Sequence, residues 1–270
     1  MTSALASRRL AALAALMLIV TPAAGAVSAC KAQSGRQTVP LVELYTSEGC
    51  DSCPPADRWL SSMFAPADAE GGAAALAFHV DYWDRLGWKD RFATPAWTKR
   101  QYDSARAARS DLVYTPQVLL QGRDLRDWHA EKRSAAAIAA VARAPARAEI
   151  ALEIVPRPGA VNVNAGAHVP DAGLRKGAVL FVALTDNGLA SDVKAGENKG
   201  KRLVHDHVVR ELRGDIAIGP GGDGAGTVSL PLPTESGKSS TIVAFVQNVD
   251  TGDVLQTLAL PLSQGCLPAR

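Results

Sequence analysis

The 270-residue chain is short of methionine, of net charge and of long apolar runs, and each shortage weighs against a class of function. It has three methionines, one the initiator and another, Met17, in the N-terminal leader, so the thioether-rich surface useful for copper exchange is missing. The formal charge is +2, and it disappears when Arg8 and Arg9 are removed with that leader. The neutral remainder has no electrostatic footprint for nucleic acid or an anionic membrane. The apolar run Leu10–Val20 meets Pro22 and Gly25 before it reaches the roughly 20 residues that a membrane-spanning helix needs. No transmembrane segment is expected in the mature chain. Internal repeats and a low-complexity tail are also lacking.

What is there begins with an export pattern. Arg8-Arg9, the run Leu10–Val20 and the small residues Ala24-Gly25-Ala26 and Val27-Ser28-Ala29 follow the charged, apolar, small-residue order of a signal peptide. This predicts a leader over residues 1–29 and a periplasmic or secreted protein. Cys30 then allows two readings. Val27-Ser28-Ala29-Cys30 is similar to a lipoprotein processing box, which would make Cys30 a lipidated N-terminus. The alternative is a structural disulfide between Cys30 and Cys266, favoured because lipidation would leave Cys266 a lone thiol outside the cytosol.

The other two cysteines form Cys50-Asp51-Ser52-Cys53, two thiols at a spacing that closes reversibly into a disulfide. Leu41–Thr46 reads as a strand, Ser47-Glu48-Gly49 as a turn, and Pro54-Pro55-Ala56-Asp57-Arg58-Trp59-Leu60 as the opening of a helix. Proline is tolerated in a first helical turn, where the missing N–H has no partner to lose. Cys50 therefore stands just ahead of a helix N-terminus, whose free N–H groups and positive dipole end favour a thiolate. Cys50 is expected to be the exposed attacking sulfur and Cys53 the resolving one. Asp51, a negative group beside the nucleophile, works against the helix dipole and leaves the direction of electron flow open. The bland alternatives are an inert structural disulfide and half of a metal site.

The pattern changes near Pro145. Before it, strand-like runs (Leu41–Thr46, Ala75–Val80, Gln117–Leu120) alternate with helical stretches (Pro54–Phe64, Pro95–Arg109, Glu131–Ala144), which indicates α/β architecture. After it, seven short alternating runs between Glu149 and Leu260, divided by turn formers such as Pro156-Arg157-Pro158-Gly159 and Asn187-Gly188, suggest a β-sandwich. Tyr114-Thr115-Pro116 leads straight into one of the apolar strands, a position where a sheet accepts proline.

The stretch Val42–Asp57 resembles the signature of a bacterial family of secreted proteins, domain of unknown function twelve twenty-three, within the thioredoxin-like superfamily. Phe78–Asp84, Leu86–Asp90, Tyr114–Gln117 and Gly196-Glu197-Asn198 are similar to further strings of that family, so the likeness covers nearly the whole mature chain. The resemblance implies an α/β thioredoxin-like N-terminal domain (38–145) followed by an all-β sandwich-like domain (146–264), and a cis Thr115–Pro116 peptide packed against the dithiol. It also implies a buried acid on the preceding strand, a role open to Glu43, which stands one residue further from Cys50 than that pattern has it. Fold analogy does not identify a reaction.

Other groups have two readings each. His79 and Asp81 alternate along a strand and share a face, either as a proton-handling pair or as a structural hydrogen bond. Tyr82, Trp83, Trp88 and Trp97 can rim a docking site or cover the core. His205 and His207, two apart on an expected strand, point the same way and can bind a metal only with more ligands; His168 is the other histidine in that half. Gly196-Glu197-Asn198 is a ligand loop or a turn. Three functions follow: an exported thiol–disulfide oxidoreductase that needs no cofactor and acts on a protein or small-molecule thiol or disulfide; a copper-handling protein using Cys50 and Cys53; and a noncatalytic binding module with the disulfide as a staple.

Overall fold

The computed structural model describes residues 30–64, 72–234, 239–262 and 266–267; the expected leader, 1–29, lies outside the described residues. Among these are fourteen strands and three α-helices. The first half holds β1 (Cys30–Gln33), β2 (Leu41–Thr46), α1 (Pro54–Met63), β3 (Ala74–His79), α2 (Pro95–Ala107), β4 (Gln117–Leu120), β5 (Arg123–Asp124) and α3 (Glu131–Ala142). The second holds β6 (Glu149–Arg157), β7 (Ala160–His168), β8 (Ala178–Asn187), β9 (Leu189–Asp192), β10 (Arg202–His205), β11 (Val208–Ala217), β12 (Asp223–Pro231), β13 (Ser239–Asn248) and β14 (Val254–Pro261).

The expected architecture, a thioredoxin-like α/β domain followed by a separate sandwich, is overturned. The chain is mostly β, and β2 to β5 do not make a sheet of their own. They continue one eight-stranded mixed sheet, in the order β14-β13-β8-β11-β3-β2-β4-β5. The join is the parallel contact of β11 with β3, at Val208 and Ala77. The physical reason lies in β3, whose six residues are all buried. A buried strand edge leaves backbone N–H and C=O groups unpaired unless another strand covers it, and here the covering strand comes from the second half. The single strand expected to carry both His205 and His207 is correspondingly broken at Asp206-His207, where His207 takes a positive φ of 58°.

Alternation along the strands sorts the core onto the two faces of this sheet. Leu41 and Tyr45 of β2, Leu76 and Phe78 of β3, Ala183 of β8 and Phe245 of β13 pack on one side with Trp97 of α2. On the other side, Val42 and Leu44 meet Ala56, Trp59 and Leu60 of α1 and Ile138 of α3. Further along that side, Leu180, Val182, Leu184, Ile242 and Ala244 meet a second, four-stranded sheet ordered β1-β6-β7-β12. A disulfide joins Cys30 of β1 to Cys266 near the other end of the chain. Among the described residues, strands β9 and β10 pair only with each other.

Candidate functional site

β2 delivers the chain into the turn Ser47-Glu48-Gly49 and then into Cys50, which is disulfide-bonded to Cys53 with their Cα atoms 5.5 Å apart. Cys53 is the N-cap of α1, and its carbonyl accepts from the N–H groups of Ala56 at 2.8 Å and Asp57 at 3.1 Å. Cys50 Sγ lies 3.3 Å from Ser52 Oγ. The expected exposure of Cys50 is not observed: both cysteines are 0% exposed, while Asp51 and Ser52 face solvent.

Two pieces of chain close over the turn. The first carries Trp83. A Cβ on Gly49 would stand 3.1 Å from the Trp83 Cβ, a fit that glycine permits, and Trp83 Nε1 donates to Thr115 Oγ1 at 2.7 Å. The Thr115–Pro116 peptide is cis. Antiparallel pairing of β2 with β4 sets Tyr45 against Gln117, so Pro116 stands at the Cys50 end of that ladder. The second piece is the loop between β9 and β10. Asn198 Nδ2 donates to the carbonyls of Glu48 at 2.9 Å and Cys50 at 2.8 Å, and Glu197 Oε2 accepts from the Asp51 N–H at 3.1 Å.

Beneath the turn lies a buried set of acids and bases: Glu48, Asp57, His79, Asp90 and His205, none more than 8% exposed. His79 Nδ1 stands 2.6 Å from Asp90 Oδ2, which also accepts from the Glu48 N–H. Trp88 Nε1 donates to Glu48 Oε2 at 2.7 Å. His205 bridges two carboxylates, with Nε2 3.3 Å from Glu48 Oε1 and Nδ1 3.8 Å from Asp57 Oδ2. Its ring stands edge-on to His79, centroids 4.8 Å apart.

These neighbours set the proton affinities. Burial pushes the Asp57 carboxyl up, and the nearby histidines offset this only in part. Burial pushes Glu48 up as well, but His205 and the other donors around it outweigh this and hold its pKa low. Burial would lower His79, yet the Asp90 carboxylate against Nδ1 reverses the sign and raises it; the same contact holds Asp90 below the usual carboxylate range against its own burial.

Several expected groupings dissolve. Glu43 shares a face of β2 with Leu41 and Tyr45, opposite the face that meets α1, and its two oxygens are taken by Arg100 of α2. His79 pairs with Asp90, not Asp81, because β3 ends at His79 and Asp81 turns to Thr98. His205 and His207 diverge: the second packs against Phe64, and His168 pairs with Asp223 in the four-stranded sheet. No group of three or more His, Cys, Asp or Glu among the described residues has the geometry to hold a metal ion. The aromatic group divides likewise, Trp97 entering the core while Trp83 and Trp88 brace the turn. Sequence reasoning passed over Asp57, although its position four residues after Cys53 puts both on one helix face. Nothing local marked Glu48, and Asn198 stood out only within Gly196-Glu197-Asn198, which reads as a ligand loop or a turn.

The fold and site define a β-rich protein with a buried Cys-x-x-Cys disulfide at the start of a helix. The chain belongs to the family described as Protein of unknown function (DUF1223), whose model matches residues 41–247. It is similar to a crystallised structural-genomics protein of Agrobacterium tumefaciens at 25% identity, over 88% of this chain and 100% of that one, with a TM-score of 0.58. It shares its fold with HBP35 of Porphyromonas gingivalis at 15% identity, over 83% of this chain and 75% of that one, with a TM-score of 0.61. No curated protein matches. No helix among the described residues is long and apolar enough to cross a membrane.

Proposed function

We propose that the protein is an exported thiol–disulfide exchange protein working through Cys50 and Cys53. The observation that carries this reading is the buried carboxyl of Asp57, one turn along α1 from Cys53 and raised in pKa by burial. A structural bond has no use for a proton acceptor one helical turn away, whereas a resolving thiol must lose its proton before it attacks. The N-terminal export pattern supports a periplasmic or secreted location, where such chemistry operates.

In the reduced protein, the Cys50 thiolate attacks one sulfur of a substrate disulfide; that bond breaks, one substrate thiolate leaves, and a Cys50–substrate disulfide forms. Cys53 then passes its proton to Asp57, attacks Cys50 Sγ and expels the second substrate thiolate. Two electrons go from the dithiol to the substrate, and the reverse sequence oxidises a substrate dithiol. His205, between Asp57 and Glu48, stabilises the carboxylate when it is ionised. No organic cofactor enters.

A second reading, the bond as a permanent staple, is favoured by the complete burial of both sulfurs. Titration of the mature chain against glutathione, with each cysteine pair followed by alkylation and mass measurement, separates the two. A Cys50–Cys53 potential in the range of about −120 to −270 mV supports exchange, and one below about −300 mV supports the staple.

A further inference from the structure

The exchange reading leaves the sulfurs without access, and the loop 193–201 is placed to control it. The loop is closed on itself by the Gly200 N–H to Val193 carbonyl bond at 2.8 Å and the Val193 N–H to Lys201 carbonyl bond at 2.9 Å. Among the described residues, its parent strands β9 and β10 share a ladder only with each other, so movement of the loop breaks no pairing in the large sheet. It bears on the dithiol turn through a small number of contacts. Asn198, 0% exposed, supplies both hydrogens of its amide to the Glu48 and Cys50 carbonyls, while Lys201 Nζ holds its Oδ1 at 2.8 Å. Glu197 accepts from Asp51, and Gly196 lets the loop pass Trp88, whose Cβ would stand 3.4 Å from a Cβ at that position.

We propose that Asn198 is a latch, a positioning residue that keeps the 193–201 loop over Cys50 and Cys53 and sets how fast a thiol reaches the disulfide. This deepens the exchange reading and takes its biological meaning from it. The chemistry of the amide is what makes the latch specific: two donors on one nitrogen meet two carbonyls, and a group of the same shape without donors has nothing to offer them. A carboxylate there would also set negative oxygens against both carbonyls. Asn198→Asp is therefore a nearly isosteric way to release the loop.

The test is reduction of the folded mature chain by excess dithiothreitol, with both disulfides followed in time by alkylation and mass measurement. Cys30–Cys266 serves as the internal control for general loosening. Asn198→Asp and Asn198→Ala are expected to speed reduction of Cys50–Cys53 by about tenfold, the effect of losing one or two hydrogen bonds, with Cys30–Cys266 unchanged. Lys201→Met, at an exposed position, is expected to speed it by a smaller factor, and provides the reading should the Asn198 variants fail to fold. Wild-type rates in the folded variants overturn the latch, and so does equal acceleration of both disulfides. A Cys50–Cys53 potential too low for glutathione would remove the exchange reading while these relative rates still decided the latch.

Discussion

Arg100 grips Glu43 with two side-by-side hydrogen bonds, Nε to Oε2 at 2.9 Å and Nη2 to Oε1 at 3.0 Å, at a place where the carboxylate meets no water. The guanidinium also lies among the rings of Phe78, Phe181 and Phe245, 5.2 to 5.4 Å from their centroids, and Nη2 reaches Gln247 of β13. The pair thereby ties α2 to strands from both halves of the chain. Arg100→Met is expected to lower stability by about 3–5 kcal/mol, because it strands a buried charge, and a Glu43→Leu/Arg100→Met double variant to recover most of that loss. Urea denaturation of the two variants measures both.

Asp57 gives a test by pH. Its raised folded pKa favours the fold at pH values below the ordinary carboxylate range, and that contribution is lost as pH climbs through the raised value. Asp57→Asn is therefore expected to melt several degrees higher than the wild type at about pH 7 and at the same temperature at about pH 3. The same variant should slow resolution of a mixed disulfide at Cys50 while leaving its formation unchanged. A stabilised variant with undiminished resolution would remove Asp57 from the mechanism.

The His79–Asp90 pair predicts a stability window. Asp90, with its pKa depressed, contributes above the ordinary carboxylate range and loses this as pH falls through its lowered value; His79, raised, contributes below its ordinary pKa and loses this as pH rises through the folded one. His79→Gln is expected to flatten the alkaline limb of the curve of melting temperature against pH. Glu48, Asp57 and His205 face the same pair, so the limb should shrink without vanishing.

Removal of the terminal disulfide tests the four-stranded sheet. β1 is four residues long and among the described residues pairs only with β6, and Cys30–Cys266 closes a loop of sequence separation 236. Cys30→Ser/Cys266→Ser is expected to lower stability by about 2–5 kcal/mol and to raise amide exchange first in β1. Equal protection of β1 in both proteins would show that its ladder holds without the tether.

Much of the local structure was legible. β2 and β4 span the residues that strand patterning marks, α1 starts at the Pro-Pro step after Cys53, and α2 starts at Pro95. These features depend on neighbours in sequence: side-chain alternation, proline's fixed φ and the fit of a dithiol to one helical turn. The site was legible only in part. Cys50 and Cys53 stand out by spacing, but the distance of Glu43 from Cys50 does not tell whether it is the buried acid that the family likeness implies. Which face of β2 meets α1 decides that question, and Arg100 holds the other face.

The sequence by itself determined where β2, β4, α1 and α2 form, which cysteines lie a helical turn apart and which family signature surrounds them, since each is a property of adjacent side chains. Only the tertiary structure decided that β3 pairs with β11, that the two halves share a sheet, that Asn198 closes over Cys50 from 148 residues away, and that His205 leaves His207 to join Asp57. Periodicity states that a face must be buried without naming what buries it. That choice belongs to backbone edges and buried charges, which are satisfied only by particular partners brought from far along the chain.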